Sequence, residues 1–133
     1  MDEYGGAQVH VRDLCLWLKG QGHEPVIVSG WLGKVSDLLE SQGISCIDIP
    51  DLQRAIDPRK DLRAYRQIRA ALDDVKPDMV ACHSSKAGLL GRLAAKSLHL
   101  PVCFTAHGWA FTVGVSPVAR ALYWLIEKAA ALF

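Results

Sequence analysis

The chain has 133 residues, half of them hydrophobic, and 15 basic residues nearly balance 14 acidic ones. That length reads as one domain spanning 1–133, with enough apolar material for a real core, and the near-neutral charge carries no signal for a nucleic-acid partner. No apolar run approaches the roughly 20 residues of a membrane span, and Asp2, Glu3 and Gly5-Gly6 stand where a signal peptide would carry its basic and apolar regions.

Residues 7–20 set Ala7, Val11, Leu14, Cys15 and Leu18 on one helical face, closed by Gly20 and Gly22. Pro25-Val26-Ile27-Val28 reads as a short buried strand. Residues 34–42 follow as a helix stopped by Gly43, and Ile44 to Ile49 as a strand closed by Pro50. Pro58 to Val75 is an amphipathic helix, with Leu62, Tyr65, Ile68, Arg69 and Leu72 expected on its inner side. Met79 to Cys82 is a strand, Ser85 to Leu98 a helix, and Val102 to Ala106 a strand. Residues 108–116 form a loop, and Pro117 to Ala131 a last helix with proline suited to its first turn. Cys15, Cys46, Cys82 and Cys103 lie in apolar segments without C-x-x-C spacing, so they read as small core residues in a reducing compartment.

Strands alternate with helices throughout. This predicts an α/β fold, Rossmann-like, with a doubly wound and mainly parallel sheet. Such a unit opens on a buried central strand, for which Met1 to Tyr4 is a poor candidate. At the other end Leu132-Phe133 directly follows a helix, where another strand would be expected. The chain therefore reads as a partial domain shortened at both ends.

Two segments carry the chemistry. His83-Ser84-Ser85-Lys86-Ala87-Gly88 and Thr105-Ala106-His107-Gly108-Trp109 both begin where apolar strands stop. In open parallel sheets that edge is where ligands bind, so His83 and His107 are expected to share one cleft. Ser84 or Ser85 suits a helix cap. The free N–H groups of that helix, with Lys86, suit an anion. Gly88 and Gly91, one turn apart, let the helix approach the sheet, and Arg92 reads as either solvated or paired. Gly5-Gly6 opens the first helix, where unpaired N–H groups and partial positive charge suit a diphosphate. A full G-x-G-x-x-G is absent, which argues against a nicotinamide or flavin dinucleotide. His10, His23 and His99 lack a strand-end context and read as surface or turn residues. Trp109 with Phe111 is suited to stacking on a sugar or a lipid-linked acceptor. The basic residues Arg59, Lys60, Arg63, Arg66 and Arg69 suit either a solvated helix face or contact with anionic lipid.

These residues resemble the N-terminal half of retaining glycosyltransferases of the GT-B fold, family four, of the bacterial polysaccharide-synthesis type. Gly5-Gly6-Ala7-Gln8 resembles that family's opening loop. Pro77-Asp78-Met79-Val80 with His83 resembles its Pro-Asp-x-Val-x-x-His element. Ser85-Lys86-Ala87-Gly88 with Gly91-Arg92-Leu93-Ala94-Ala95 is similar to a signature of its polysaccharide enzymes, and Thr105-Ala106-His107-Gly108-Trp109 resembles its Thr-x-His-Gly element. The resemblance covers nearly the whole chain.

The resemblance implies transfer of a sugar from a nucleotide-sugar donor to a glycan or lipid-linked acceptor, with retention and without a metal or other cofactor. By it, Gly5 and Gly6 approach the donor diphosphate and His107 contacts the transferred sugar. His83, Ser84, Ser85, Lys86, Gly108 and Trp109 line the acceptor or donor cleft. The family's Glu-x7-Glu motif belongs to a second Rossmann-like domain and has no counterpart in this sequence. Isolated residues 1–133 are therefore expected to be inactive and marginally stable. The expected setting is cytoplasmic, with peripheral contact at the inner membrane face. The alternative is a non-catalytic acceptor-binding subunit whose catalytic half is a separate chain. A hydrolase using Ser84 or Ser85 with His107 lacks the Gly-x-Ser-x-Gly elbow and an acidic partner. A receiver domain lacks its acidic cluster.

Overall fold

Among the described residues, glycine stops and proline starts help mark off nine elements. In the computed structural model, which describes residues 5–30, 33–107 and 116–131, they run α1 (Gly6–Gly20), β1 (Val26–Ser29), α2 (Gly33–Ser41), β2 (Ser45–Asp48), α3 (Pro58–Val75), β3 (Val80–Cys82), α4 (Ser85–Ser97), β4 (Val102–Phe104) and α5 (Pro117–Ala130). Two compact units divide between Ala64 and Tyr65.

In the first unit β1 and β2 pair in parallel, Val26 opposite Ser45 through Ser29 opposite Asp48. Cys15, Leu39 and Ile44 form its core, with Val11, Leu16, Ile27, Val35 and Cys46 packed around them. The helix ends are specified chemically. α1 stops at Gly22 and α2 at Gly43, both at positive φ. In each case the next two amides turn back onto the last turn: Gly22 to the Lys19 carbonyl and His23 to that of Leu18, Gly43 to that of Glu40 and Ile44 to that of Leu39. Lys19 Nζ donates to the Gly43 carbonyl at 2.7 Å, which ties α1 to the end of α2. At the start of α3 the Asp57 carboxylate accepts from the amides of Arg59 and Lys60 at 3.0 and 3.1 Å. Those bonds, that of Lys60 first, hold the carboxyl below its usual range.

In the second unit β3 and β4 pair in parallel, Val80 opposite Val102 and Cys82 opposite Phe104. Thr105 N–H donates to the Cys82 carbonyl at 2.9 Å and carries the ladder one bond further. Among the described residues the strands thus form two parallel pairs, β1-β2 and β3-β4. This is the alternating, parallel, Rossmann-like α/β fold that the pattern predicts.

α4 is the most buried helix, with Gly88, Leu90, Gly91, Arg92, Ala94 and Ala95 inside. Small residues let it lie close on the strands. A Cβ on Gly88 would stand 2.6 Å from the Phe104 ring, and one on Gly91 would stand 2.7 Å from Cys82 Sγ. Arg92 is paired rather than solvated. Its Nε donates to the Gly88 carbonyl at 2.8 Å, its NH2 group to Glu127 Oε2 at 2.9 Å, and its guanidinium lies 4.5 Å from the centre of the Phe104 ring. A buried guanidinium thereby joins α4, β4 and α5. At the end of α4, His99 adopts φ 57°. Its amide and that of Leu100 return to the Lys96 and Ala95 carbonyls, the closure that glycine provides in α1 and α2.

Two expectations about facing are corrected. α3 buries Ala64, Ile68 and Leu72, whereas Leu62 and Arg69 are exposed; the true stripe advances four residues at a time through alanine. Cys103 is exposed, because alternation along β4 turns it away from the face α4 covers. Ser84 occupies the N-cap position of α4 but makes no side-chain cap bond.

Candidate functional site

The C-terminal edge of the β3-β4 pair collects the strand-end residues. His83 follows Cys82 directly, and His107 follows Phe104 by three residues. Because Cys82 and Phe104 are register partners, both imidazoles leave the sheet at the same edge. His83 Nδ1 and His107 Nε2 stand 3.2 Å apart, with ring centroids at 5.5 Å and planes tilted by 36°. One nitrogen of the pair donates and the other accepts. The structure therefore brings these two residues together at one strand-end edge. His83 is half-buried and His107 exposed.

α4 begins beside this pair. Ser84 is exposed, and Ser85 and Lys86 are half-buried in its first turn. The first amides of a helix have no acceptors within it and carry partial positive charge. The turn can therefore receive an anion or a hydroxyl-rich ligand. Beneath it, burial pushes the Cys82 thiol up to about 11, so this cysteine is a packing group and not a nucleophile at neutral pH. Gly108 and Trp109 lie outside the described residues, as does Phe111.

In the first unit Gly5 is the N-cap of α1 and Gly6 its first residue, both exposed. The Gln8 side chain accepts from Gly5 N–H at 2.9 Å. Neither glycine is demanded by packing among the described residues. A Cβ on Gly6 meets nothing within 4 Å, and one on Gly5 meets only the flexible Gln8 tip at 3.8 Å. Nor does the φ of −65° at Gly5 require glycine. An open depression at the α2-β2 turn, lined by Glu40, Gly43, Ile44, Ser45 and Cys46, holds none of the predicted site residues.

The basic face of α3 is partly engaged within the protein. Arg63 makes a two-pronged bond to Asp51 at 2.8 and 2.9 Å, which lowers the Asp51 carboxyl below its ordinary range. Lys60 bonds Gln53 and Arg69 bonds Ser97. Sequence reasoning missed a second surface, on α5. There Val118, Leu122 and Leu125 are exposed at helical spacing, with Trp124, Arg120 and Lys128 beside them. Its signal was the helical spacing itself. No described helix is long and apolar enough to cross a membrane.

Parallel strands alternating with helices, with polar residues gathered at the strand ends, define a Rossmann-like domain of the kind that forms half of a GT-B glycosyltransferase. The chain belongs to the glycosyl transferase 4-like domain family, whose model matches residues 5–132. It is 31% identical over 115 residues to the putative glycosyltransferase EpsD of Bacillus subtilis (strain 168), covering 84% of this chain and 29% of that protein. It is 34% identical over 100 residues to an Escherichia coli UDP-Gal:alpha-D-GlcNAc-diphosphoundecaprenol alpha-1,3-galactosyltransferase, covering 74% of this chain and 26% of that protein. The chain thus spans less than a third of the length of these relatives. The fold resembles the crystal structure of MurG from Acinetobacter baumannii, with a TM-score of 0.62 at 24% identity over 90% of this chain and 35% of that one.

Proposed function

We propose that this chain is the acceptor-side domain of a retaining glycosyltransferase that moves a sugar from a nucleotide-sugar donor to a glycan or lipid-linked acceptor. The observation that carries the reading is the His83–His107 pair at the strand-end edge beside the start of α4. His107, the more exposed ring, contacts the transferred sugar through a ring nitrogen. Ser84, Ser85 and Lys86 hold the acceptor's polar groups, and the family resemblance assigns Gly108 and Trp109 to the acceptor or donor as well. Gly5 and Gly6 leave the start of α1 bare, so that a donor diphosphate reaches its amides. Charge from this helix end, with basic residues of a second Rossmann-like domain, neutralises the departing diphosphate without a metal. Residues 1–133 by themselves bind acceptor but do not turn over. The work is done on the cytoplasmic side, with α5 resting on anionic lipid through Val118, Leu122 and Leu125.

The E. coli relative's name supplies the first probe, a short-chain GlcNAc diphospholipid. Amide signals of the chain are followed by NMR as the probe is added. Shifts at His83–Gly88 and His107, weakened by His107→Ala, are expected. Lack of any shift at millimolar probe would refute the acceptor assignment. Release of UDP from UDP-galactose by the chain alone would overturn the division of labour. A non-catalytic acceptor-binding subunit of a split enzyme predicts the same shifts, and is distinguished by co-purification of a separate catalytic chain.

A further inference from the structure

We infer that Arg92 is a positioning residue for the His83–His107 pair: it holds the two segments that carry the rings against each other, and Glu127 holds Arg92. Its part in sugar transfer rests on the acceptor-side reading above.

Among the described residues, Arg92 is the charged side chain that the fold buries. Stability alone is a poor reason for burying it. Desolvating two charges costs about as much as their attraction returns, and apolar residues of similar volume often serve stability as well or better. What the pair adds over them is direction. A guanidinium is a flat, rigid fork that fixes several partners at set angles.

The partners of Arg92 lead to both histidines. On one side its Nε donates to the Gly88 carbonyl at 2.8 Å. The Gly88 amide donates to the Ser84 carbonyl, and Ser84 follows His83 in the chain. On the other side the guanidinium lies 4.5 Å from the centre of the Phe104 ring. That ring is also confined by Gly88, where a Cβ would stand 2.6 Å from it. Phe104 ends β4, Thr105 N–H bonds the Cys82 carbonyl, and His107 comes two residues later. Glu127 Oε2 accepts from the fork at 2.9 Å, and the two side chains are only 7% and 12% exposed, so the fork has no room to swing away. The histidine pair is sensitive to such support. Its nitrogens face each other at 3.2 Å with ring centroids at 5.5 Å, and a shift of about half an ångström between the segments would carry them out of hydrogen-bond range.

The test is the 15N–15N coupling across the His83–His107 hydrogen bond, read through the ring-carbon protons of labelled chain, with circular dichroism checking that each variant is folded. The parent should show the coupling. Arg92→Lys keeps the charge but not the planar fork, and Phe104→Leu removes the ring beneath it; each should reduce the coupling by about half or more. Glu127→Gln, which keeps an acceptor for the fork, should retain most of it. Ile68→Val trims a buried side chain of α3 and should lower stability with the coupling unchanged. Parent-like coupling in folded Arg92→Lys or Phe104→Leu would overturn the inference, as would no coupling in the parent or an equal loss in Ile68→Val. Phe104→Leu decides alone if Arg92→Lys does not fold. The coupling needs no ligand. Its persistence in the variants would remove the positioning role and leave the acceptor reading standing, whereas a parent that shows the coupling but ignores the GlcNAc diphospholipid would remove only the acceptor reading.

Discussion

Substituting Gly88 by alanine sets two effects of known size against each other. In an exposed helix interior the change is stabilising by about 1 kcal/mol, because glycine loses more backbone freedom on folding. Here the new methyl would stand 2.6 Å from Phe104 Cε2 and 2.8 Å from Cδ2. The ring cannot simply step aside, because the Arg92 guanidinium lies 4.5 Å from its centre and Arg92 is bonded to the Gly88 carbonyl and Glu127. Overpacking of this kind costs about 1–3 kcal/mol, and a ring pinned by a buried ion pair belongs near the upper end. The expected net loss is therefore about 1–2 kcal/mol. Urea denaturation followed by circular dichroism measures it, with Gly6→Ala as the matched control, since a Cβ there meets nothing within 4 Å. A Gly88→Ala protein as stable as the parent, or more so, would refute the claim that α4 is seated by the absence of a side chain.

Three further outcomes follow from the same packing. Glu127→Ala strands a guanidinium whose side chain is only 7% exposed, and about 3 kcal/mol should be lost in the same denaturation assay; Glu127→Gln, which keeps an acceptor, should lose less. His99→Gly relieves a side chain held at φ 57° and should raise stability by about 0.5–1 kcal/mol, net of glycine's greater freedom when unfolded. The Cys82 thiol is raised from 9.0 to about 11 by burial, so its neutral form stabilises the fold fully below about pH 9, and that share is lost as pH rises through about 11. Between those values the parent should lose more stability than Cys82→Ala, by an amount on the order of 2 kcal/mol, and parallel curves would contradict the burial argument.

Much of this fold is legible because its punctuation is chemical. Pro58, Pro117, Gly22 and Gly43 mark helix limits that no tertiary contact has to enforce, and α3 runs over the expected residues 58–75. The shared edge of His83 and His107 was legible too, since two strands of the same polarity must end on the same side. What the pattern could not disclose depended on partners distant in sequence or on a single rotation. Arg92 and Glu127 lie 35 residues apart, and nothing local distinguishes a paired arginine from a solvated one. The inner stripe of α3 passes through Ala64, a residue too small to stand out beside Leu62. Cys103 faces outward because a strand of three residues offers too short an alternation to read. His99 closes α4 in a conformation that glycine usually takes, so the histidine gave no turn signal.

The glycines of this chain separate fold from function. Gly88 and Gly91 are required from within: each faces an atom that a methyl would strike. Their removal should be felt in stability before anything else. Gly5 and Gly6 face no such atom, and the backbone at Gly5 lies in a region open to any residue. If they serve only as an unstrained helix start, Ser at the N-cap position 5 and Ala at position 6 would serve as well or better. A bare helix end, by contrast, is what a diphosphate needs in order to touch backbone amides. The two pairs therefore make opposite demands on the same substitution. A loss of stability from alanine at 88 or 91, with stability unchanged by serine at 5 and alanine at 6, assigns the first pair to the core and shows that packing does not require the second.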